Sequence, residues 1–558
     1  MVDGRAVYDF GARSSGEAHG VVLTKPHVVR LILELAGYVP ERDLARLRLL
    51  EPSCGHGAFL VQAVERLLAS AAQHGRALGV RELGRAITAF DVDANHVSLA
   101  RQAVVATLLA HGVDRAVANK LASKWIRVAD FLLTPLPAAF DCIVGNPPYV
   151  RVEQIAAALQ AEYRSRFASI FDRADLYVAF IERGSSLLSA RGVLSFICAD
   201  RWLLNKYGAP LRALLTEHFR VLCYIDLHRA SPFESEVIAY PAIFAITRGH
   251  TDKVVVAKLD NAGEQECAEL AQRLRQDAEP AADSSSGALA VYDAWFSGDE
   301  PWVISSPEQL RALRDLEARF SPIEHTAKVG IGVATGKDEL YVVDQTLDIE
   351  RDRLLPLVMR EDLASGRVHN ASRYVINTFA RDGALIELAQ FPKLRAYFAR
   401  HAAQIKRRHV AKKNPRAWFR TIDRVYPELA RAPKLLIPDI AGANEVVFES
   451  GQYHPHHNLY FVTSSVWDLE VLGGLLSSRV ALFFVWSYAV KMRGRYLRFQ
   501  AQYLRRIRLP DPNSLDAKLE RAIKAAFQRR DFTRLDALAL QAYGLPALPA
   551  FDFVDTRR

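Results

Sequence analysis

The 558-residue sequence contains few cysteines and no apolar segment long enough to span a membrane. Its five cysteines are scattered along the chain: Cys54, Cys142, Cys198, Cys223 and Cys267. No two of them have the spacing of a metal site or a redox pair, so we expect a reduced, cytoplasmic protein without structural disulfides. The most apolar stretch, VALFFVWSYAV at 480–490, is shorter than the ~18 residues a membrane helix needs and is typical of a core. The first residues, MVDGRAVYDF, lack the apolar part of a signal peptide, so we expect no membrane association.

The composition is that of a large globular protein with a basic excess. Half of the residues are hydrophobic, and a chain of this length predicts about two or three domains. Lys and Arg number 72 against 63 Asp and Glu, which gives a formal net charge of +9. Such an excess favours an anionic partner, although it says little about the fold.

The sequence pattern changes along the chain and divides it into four segments. Within residues 1–250, short apolar runs such as AITAFDVD alternate with segments of helical period such as AFLVQAVERLLASAAQ. This alternation predicts a doubly wound, mostly parallel α/β sheet with helices on both faces. Residues 251–324 include the breaker-rich QDAEPAADSSSGA, which predicts a connecting loop. Residues 325–510 predict a second, basic domain of mixed α+β structure, and 511–558 predict a helical tail.

A glycine turn follows the first predicted strand, in LLEPSCGHGAFL at 49–60. The strand ends at Glu51, and Gly55 and Gly57 allow the backbone to approach a ligand at its carboxyl end. The turn is neither GxGxxG nor a phosphate loop followed by Lys-Ser/Thr. Because Glu51 would repel a pyrophosphate but accept hydrogen bonds from an ammonium group, the turn favours a zwitterionic cofactor. An ordinary tight turn is the alternative.

Carboxylates end the next two predicted strands as well. AITAFDVD ends on Asp91 and Asp93, where an α/β fold holds the hydroxyls of a ribose. IRVADFL ends on Asp130 and Phe131, which suit an adenine amine and an adenine face respectively. Three successive strands that end in carboxylates favour one adenosine-like ligand over three unrelated turns.

The fourth predicted strand ends in DCIVGNPPYVR at 141–151. Two prolines stiffen the backbone, so that the Asn146 side chain and the Pro147 carbonyl can accept from one amine. The ring of Tyr149 offers a face for a flat base. An aromatic amine is a poor nucleophile, and two fixed acceptors would expose its lone pair. The loop therefore predicts direct methyl transfer without a covalent intermediate or a metal. A proline-rich turn that ends a strand is the alternative.

The order of these motifs resembles that of the gamma-class DNA adenine-N6 methyltransferases of restriction–modification systems, the TaqI-like type. The resemblance covers residues 20–250 and implies that S-adenosyl-L-methionine is the cofactor. The cofactor residues that it implies are Thr24, Glu51, Ser53, Cys54, Gly55, Gly57, Asp91, Val92, Asp130, Phe131 and Pro148. The catalytic residues that it implies are Asn146, Pro147 and Tyr149. At Asp91 the family has Glu, which reaches further toward the ribose.

The resemblance also implies a second ring against a base turned out of the duplex, at Phe233, for which a core position at the start of a strand is the alternative. It further implies a target-recognition domain over 325–510. Two stretches in that domain combine cations with aromatic rings: KRRHVAKKNPRAWFR at 406–420 and KMRGRYLRFQAQYLRRIR at 491–508. Cations neutralise phosphates and Arg reads guanine edges, so we expect both stretches to contact double-stranded DNA. The candidates are Lys412, Lys413, Arg416, Trp418, Arg493 and Arg495. A solvated charged face is the alternative.

Two further features are interpreted as structural. The histidines of YHPHHNLYF at 453–461 fit no standard zinc spacing, which predicts a turn with exposed imidazoles and no metal. Cys54 has no paired histidine base, so it is expected to pack in the loop and not to act as a nucleophile.

The sequence predicts a site-specific enzyme that methylates the N6 amine of adenine in duplex DNA by base flipping, as the modification component of a restriction–modification system. An RNA or protein-glutamine methyltransferase with an Asn-Pro-Pro-Tyr loop and a non-catalytic specificity subunit are the alternatives. The N4 amine of cytosine stays open as the methyl acceptor, because the same two hydrogen-bond acceptors could hold it. Because the motifs begin within about 25 residues of the start, we expect no nuclease domain ahead of them. A separate restriction endonuclease remains open as a partner.

Overall fold

One large sheet organises the first of the two units into which the chain divides, Met1–Val303 and Ile304–Arg558. The computed structural model describes residues 22–137, 139–235, 240–250, 253–275, 289–293, 298–369, 372–441, 445–489 and 497–551.

The sheet of the first unit has nine strands within those ranges. In chain order they are β1 (Leu49–Glu51), β2 (Ile87–Asp91), β3 (Ile126–Val128), β4 (Phe140–Gly145), β5 (Leu188–Ala199), β6 (Phe219–Asp226), β7 (Pro241–Arg248), β8 (Lys253–Lys258) and β9 (Leu289–Asp293). Across the sheet the order is β3-β2-β1-β4-β5-β7-β6-β8-β9. Strand β7 runs antiparallel to β5 and β6, β9 runs antiparallel to β8, and the remaining neighbours are parallel. The sheet is therefore mostly parallel, as the sequence predicted.

Helices connect the strands of this sheet. They are α1 (Pro26–Leu35), α2 (Ala58–Gln73), α3 (Val80–Leu83), α4 (Ala94–Ala110), α5 (Arg115–Trp125), α6 (Ala157–Arg166), α7 (Tyr177–Ser186), α8 (Ala209–His218) and α9 (Glu264–Arg275). From β1 the chain proceeds in one direction to β2 and β3, and β4 then resumes on the other side of β1. Because parallel crossovers are right-handed, this reversal puts helices on both faces and opens a crevice at the carboxyl ends of β1 and β4.

The first unit extends beyond the predicted domain end at residue 250. Strand β8 pairs in parallel with β6, and β9 pairs with β8, so the sheet continues into the segment that was predicted to connect two domains. Helix α9 packs against α1. The apolar sequence KVVVAK explains the difference, because it can extend a sheet edge although polar residues follow it. The breaker-rich QDAEPAADSSSGA, residues 276–288, lies outside the described residues.

The second unit contains several smaller sheets. Its strands are β10 (Ser321–Pro322), β11 (Lys328–Ile331), β12 (Val342–Asp344), β13 (Leu354–Val358), β14 (Leu363–Ala364), β15 (Arg367–Val368), β16 (Arg373–Ile376), β17 (Lys434–Pro438), β18 (Ile440–Ala441), β19 (Val447–Glu449), β20 (His454–Pro455), β21 (Leu459–Thr463), β22 (Leu497–Arg498) and β23 (Arg508–Leu509). Two of the sheets have four strands, in the orders β11-β21-β17-β19 and β12-β16-β13-β20. The first is antiparallel throughout, and in the second only β13 and β20 are parallel.

The helices of the second unit are α10 (Pro307–Arg319), α11 (Asp338–Tyr341), α12 (Pro392–Arg400), α13 (Ala402–Lys406), α14 (His409–Lys413), α15 (Pro427–Arg431), α16 (Leu469–Leu476), α17 (Arg479–Tyr488), α18 (Ala501–Leu504), α19 (Ala517–Arg529) and α20 (Phe532–Ala542). The predicted tail is helical, and α19 packs on α16 so closely that a Cβ at Gly474 would lie 2.5 Å from Cγ2 of Ile523. The tail therefore belongs to this unit. Within the described ranges no single helix is long and apolar enough to cross a membrane, and only α16 and α17 together, bent by 58°, reach that length and composition.

Candidate active site

A cavity of about 590 Å³ lies at the carboxyl ends of β1, β2 and β4. It is lined by most of the residues that the sequence predicted for cofactor binding and catalysis: Thr24, Glu51, Ser53, Cys54, Gly55, Asp91, Val92, Asp130, Phe131, Asn146, Pro147, Pro148 and Tyr149. The fold thus brings residues from five separate segments into one pocket.

The turn after β1 is held against β2 by its backbone. Cys54 donates its backbone N–H to the carbonyl of Phe90 at 2.8 Å. Gly55 has a φ of +50°, and Gly57 has a φ of +91°. A Cβ at Gly57 would lie 3.2 Å from Cα of Ala100 in α4. Gly57 was predicted to bind the cofactor, but it is not among the residues that line the cavity and serves the close packing of α2 on α4.

Glu51 brings a buried carboxylate to the wall of the cavity. The residue is 1 % exposed, and its Oε2 accepts no hydrogen bond from any described residue. Burial and then the neighbouring charge of Asp91 hold the pKa of the Glu51 carboxyl well above its usual range. A buried acceptor without a donor costs free energy, so this oxygen is suited to a ligand that carries N–H groups or positive charge.

Both carboxylate oxygens of Asp91 accept hydrogen bonds from backbone N–H groups of the protein. Its Oδ2 accepts from the backbone N–H of Gly55 at 2.9 Å, and its Oδ1 accepts from that of Asp93 at 2.9 Å. The ring nitrogen Nδ1 of His96 lies 3.2 Å from the same Oδ1. A carboxylate oxygen has two lone pairs, so Oδ2, which accepts one hydrogen bond, keeps capacity for a ligand hydroxyl. Asp91 therefore couples the glycine turn to the tip of β2 and borders the cavity.

Asp130 and Phe131 form the opposite wall. Oδ1 of Asp130 accepts from the N–H of Leu132 at 2.7 Å, and Oδ2 accepts from the hydroxyl of Tyr163 at 2.7 Å. Phe131 is 1 % exposed and packs on Phe180 with 5.2 Å between ring centroids. The wall thus combines an oriented carboxylate with two aromatic rings whose planes are tilted by 38°.

Asn146 presents one unused acceptor. Its Nδ2 donates to the carbonyl of Val22 at 3.1 Å and lies 3.5 Å from Oγ1 of Thr24. Its buried Oδ1 finds no donor within the described part of the chain. The hydroxyl of Ser53 donates to the backbone carbonyl of Asn146 at 3.1 Å, which fixes the loop to the turn after β1. The hydrogen bond from Nδ2 therefore orients the side-chain amide, and Oδ1 is available to accept from a ligand.

The segment ahead of α1 is fixed beside this loop by pairing with the chain after β6. Thr24 and Phe233 form an antiparallel bridge. Lys25 donates its N–H to the carbonyl of Pro232 at 2.9 Å, and Glu234 donates to that of Leu23 at 2.9 Å. Thr24 is 3 % exposed. This pairing joins Thr24 to Phe233, far apart in the sequence, and Thr24 lies beside Asn146.

Tyr149 and Phe233 lie close together, but not face to face. Their ring centroids are 6.4 Å apart and their planes meet at 83°. Phe233 is 5 % exposed and packs in the core, and it does not line the cavity. A flat base cannot lie against both ring faces in this arrangement. The predicted position of the base between Tyr149 and Phe233 would therefore require one ring to turn.

The Cys54 thiol is buried, and burial raises its pKa. A nucleophilic cysteine needs the opposite shift, because the thiolate is the reactive form. These facts support the expected packing role.

The residues predicted to contact DNA have different environments. Lys412, Lys413 and Arg416 are exposed at the end of α14 and in the turn after it. Trp418 is half-buried, with its ring centroid 5.9 Å from that of Phe419, and Nζ of Lys406 lies 5.0 Å from it. Trp418 thus contributes to a hydrophobic cluster more than to an open surface. Arg493 and Arg495 lie outside the described residues.

The prediction of exposed imidazoles at 453–461 was wrong for two of the three histidines. His454 is 1 % exposed and His456 is 2 % exposed, whereas His457 is exposed. Pairing of β20 with β13 and a bridge from His456 to Val333 draw this segment into the sheet, which buries both side chains.

Several cavity residues had no signal in the sequence. Tyr163, Phe180, His96 and Val22 contact the predicted residues, but the sequence singled out none of them as a site residue. Tyr163 lies in α6, 33 positions after Asp130, and only helix packing shows that its hydroxyl reaches the carboxylate.

The chain is similar to proteins of restriction–modification systems. Residues 95–233 match the Eco57I restriction-modification methylase family. The type II methyltransferase M.BstVI of Geobacillus stearothermophilus is 44 % identical over 541 residues, which cover 94 % of this chain and 96 % of that protein. M.XhoI of Xanthomonas vasicola is 44 % identical over 95 % and 98 % of the two chains, and M.PaeR7I of Pseudomonas aeruginosa is 45 % identical over 95 % and 92 %.

Among solved structures, the type IIL restriction-modification enzyme MmeI in complex with DNA has a similar fold. The TM-score is 0.63 at 14 % identity, and the match covers 94 % of this chain and 74 % of that one. The near-complete coverage of the relatives extends the similarity over both units of this chain. The chain therefore belongs to the type II DNA methyltransferases of restriction–modification systems.

Proposed function

We propose that this enzyme transfers a methyl group from S-adenosyl-L-methionine to the exocyclic N6 amine of adenine in double-stranded DNA, after the adenine has been rotated out of the duplex. The observation that carries the proposal is the buried Oδ1 of Asn146, which has no donor within the described ranges and borders the same cavity as Glu51. An exocyclic amine carries two hydrogens. Oδ1 of Asn146 would accept one of them, and a second acceptor beside it would accept the other.

The cavity residues fit the cofactor. Oε2 of Glu51 lacks a partner among the described residues and suits the ammonium group of the amino acid part. Asp91 ends β2, where a ribose would lie, and Asp130 with Phe131 suits an adenine ring. When bound, the sulfonium supplies an electrophilic methyl group. The amino acids of this chain position the two reactants and exclude water from the space between them.

The target amine would be held by the Asn146 loop. Oδ1 of Asn146 and the carbonyl of Pro147 accept its two hydrogens, which draws the nitrogen toward a tetrahedral geometry and exposes its lone pair. The nitrogen forms its bond to the methyl carbon as the carbon–sulfur bond breaks, and one N–H proton is then released to solvent. Tyr149 provides a ring surface for the base.

The second unit would bind the duplex. Exposed Lys412, Lys413 and Arg416 are suited to phosphates, and the chain carries a net charge of +9. A restriction endonuclease on a separate chain would be the functional partner, because methylation protects the shared recognition sequence from cleavage.

Methylation of genomic DNA with labelled cofactor, followed by single-molecule sequencing, tests the proposal. We expect N6-methyladenine at one recognition sequence. N4-methylcytosine at that sequence would contradict the choice of adenine, because the same loop can hold that amine. Label in RNA or in protein, with none in DNA, would contradict the substrate class.

A further inference from the structure

Three atoms of the kinds that bind metal ions converge in the second unit. One ligand atom from each of Asp338, His456 and His457 lies within 4.8 Å of the other two. Oδ2 of Asp338 is 3.0 Å from Nε2 of His456, which in turn is 2.9 Å from Nδ1 of His457. These residues are far from the cavity in sequence and belong to the other unit.

Hydrogen bonds to residues outside the cluster hold all three residues in place. His457 donates its N–H to the carbonyl of Val333 at 3.0 Å, and His456 donates to that of Val358 at 3.0 Å. Asp338 is the first residue of α11, and its other oxygen, Oδ1, accepts from the hydroxyl of Thr335 at 2.5 Å. An outer hydrogen bond of this kind orients a metal-binding carboxylate. The arrangement is therefore built from hydrogen bonds outside the cluster.

Hydrogen bonds alone satisfy the cluster incompletely. An imidazole nitrogen either carries one hydrogen or offers one lone pair, but Nε2 of His456 contacts two neighbours. If Nε2 donates to Asp338, it cannot accept from His457. If it accepts from His457, its lone pair faces a carboxylate oxygen. A cation that accepts a lone pair from each of the three atoms removes this conflict.

The cluster is accessible from solvent. The Asp338 side chain is 40 % exposed and His457 is exposed, so an ion can reach the buried His456. Nδ1 of His456 has no partner in the described ranges, so no neighbour restricts Nε2 to the protonated form.

We propose that Asp338, His456 and His457 bind one divalent transition-metal ion, of which Zn²⁺ fits best. Two imidazoles and one carboxylate are ligands that zinc prefers, and three protein ligands leave a fourth position for water. Zinc bonds of about 2.0–2.2 Å place tetrahedral ligand atoms roughly 3.3 Å apart. The two contacts of His456 Nε2, 3.0 Å to Asp338 and 2.9 Å to His457, lie within a few tenths of an ångström of that spacing. The ion would link the start of α11 to the turn between β20 and β21.

Metal content of the full-length protein tests the site. The chain is stripped with chelator, dialysed against excess Zn²⁺ and then against metal-free buffer, and zinc is counted per chain. We expect one zinc in the native protein and in His369→Ala, which removes an exposed histidine elsewhere in this unit. We expect His457→Ala and Asp338→Asn to lower the zinc affinity at least about tenfold.

Two further measurements keep the test independent of folding and of methyl transfer. Zn²⁺ should raise the unfolding temperature of the native protein and of His369→Ala, but not that of His457→Ala. Co²⁺ bound in place of Zn²⁺ should give visible absorption bands that disappear in Asp338→Asn. Less than one zinc per chain in the native protein would overturn the proposal. Equal zinc in all variants, which would mean an adventitious ion only, would also overturn it.

Discussion

The hydroxyl of Tyr163 donates to Oδ2 of Asp130 at 2.7 Å, across 33 positions of sequence. Together with the N–H of Leu132 on Oδ1, this bond orients a carboxylate that lines the cavity. Tyr163 is itself 3 % exposed, so no bulk water replaces its hydrogen bond. The relationship ties α6 to the tip of β3 and gives Tyr163 a positioning role.

Tyr163→Phe should therefore weaken cofactor binding. The loss of one hydrogen bond is worth about 0.5–1.5 kcal/mol, which corresponds to about a two- to tenfold higher KM for S-adenosylmethionine. We expect kcat to change little, because the ring still fills its place and Asn146 is untouched. Steady-state kinetics at varied cofactor concentration measure both constants. Tyr426→Phe, at an exposed tyrosine of the second unit, is the control; a fall in kcat at unchanged KM would argue against the positioning role.

Asn146→Ala should greatly slow methyl transfer while duplex binding persists. The substitution removes the unpartnered Oδ1 and leaves the exposed cations of the second unit in place. Loss of a fixed electrostatic group of this kind costs about 10²–10³-fold in kcat. Single-turnover transfer and gel-shift assays on one duplex separate the two effects. Asn119→Ala, at an exposed asparagine of α5, should behave like the native enzyme. Transfer near the native rate by Asn146→Ala would refute the mechanism.

Glu51→Gln should stabilise the ligand-free enzyme at neutral pH and weaken its binding of cofactor. The folded protein raises the pKa of Glu51 above the ordinary 4.5, so it keeps a proton that the unfolded chain has already lost. Unfolding then releases a proton, and the free energy of unfolding falls as pH rises from about 4.5 through the folded pKa. The glutamine variant lacks this contribution.

Urea unfolding at several pH values between about 5 and 8 measures the effect, with calorimetric titration for cofactor affinity. Glu41→Gln, at an exposed glutamate, is the matched control. An identical pH dependence in the native protein and Glu51→Gln would show that burial does not hold the proton on Glu51.

Gly57→Ala should destabilise the first unit more than Gly75→Ala does. Both glycines have positive φ, +91° at Gly57 and +62° at Gly75, so both substitutions carry a backbone cost of about 1–2 kcal/mol. Only at Gly57 would the new Cβ meet backbone, 3.2 Å from Cα of Ala100, whereas no described atom lies within 4 Å at Gly75. Urea unfolding compares the two variants. Equal losses in the free energy of unfolding would show that α2 and α4 can move apart without loss of stability.

The sequence by itself determined which polar side chains stand at the strand ends. Glu51, Asp91, Asp130 and Asn146 each follow a short apolar run, and parallel strands bring such ends to one edge of a sheet. The glycine turn and the two prolines are equally local, because their backbone restrictions depend on the residue types themselves. The mostly parallel sheet followed from the same periodicity.

Only the tertiary structure decided which distant segments complete the site. Strand pairing joins Thr24 to Phe233, and packing of α6 brings Tyr163 to Asp130. Pairing of β20 likewise buried His454 and His456, and continuation of the sheet through β8 moved the end of the first unit to residue 303. These contacts join residues far apart in the chain. They depend on how whole elements pack, and no short stretch of sequence encodes that.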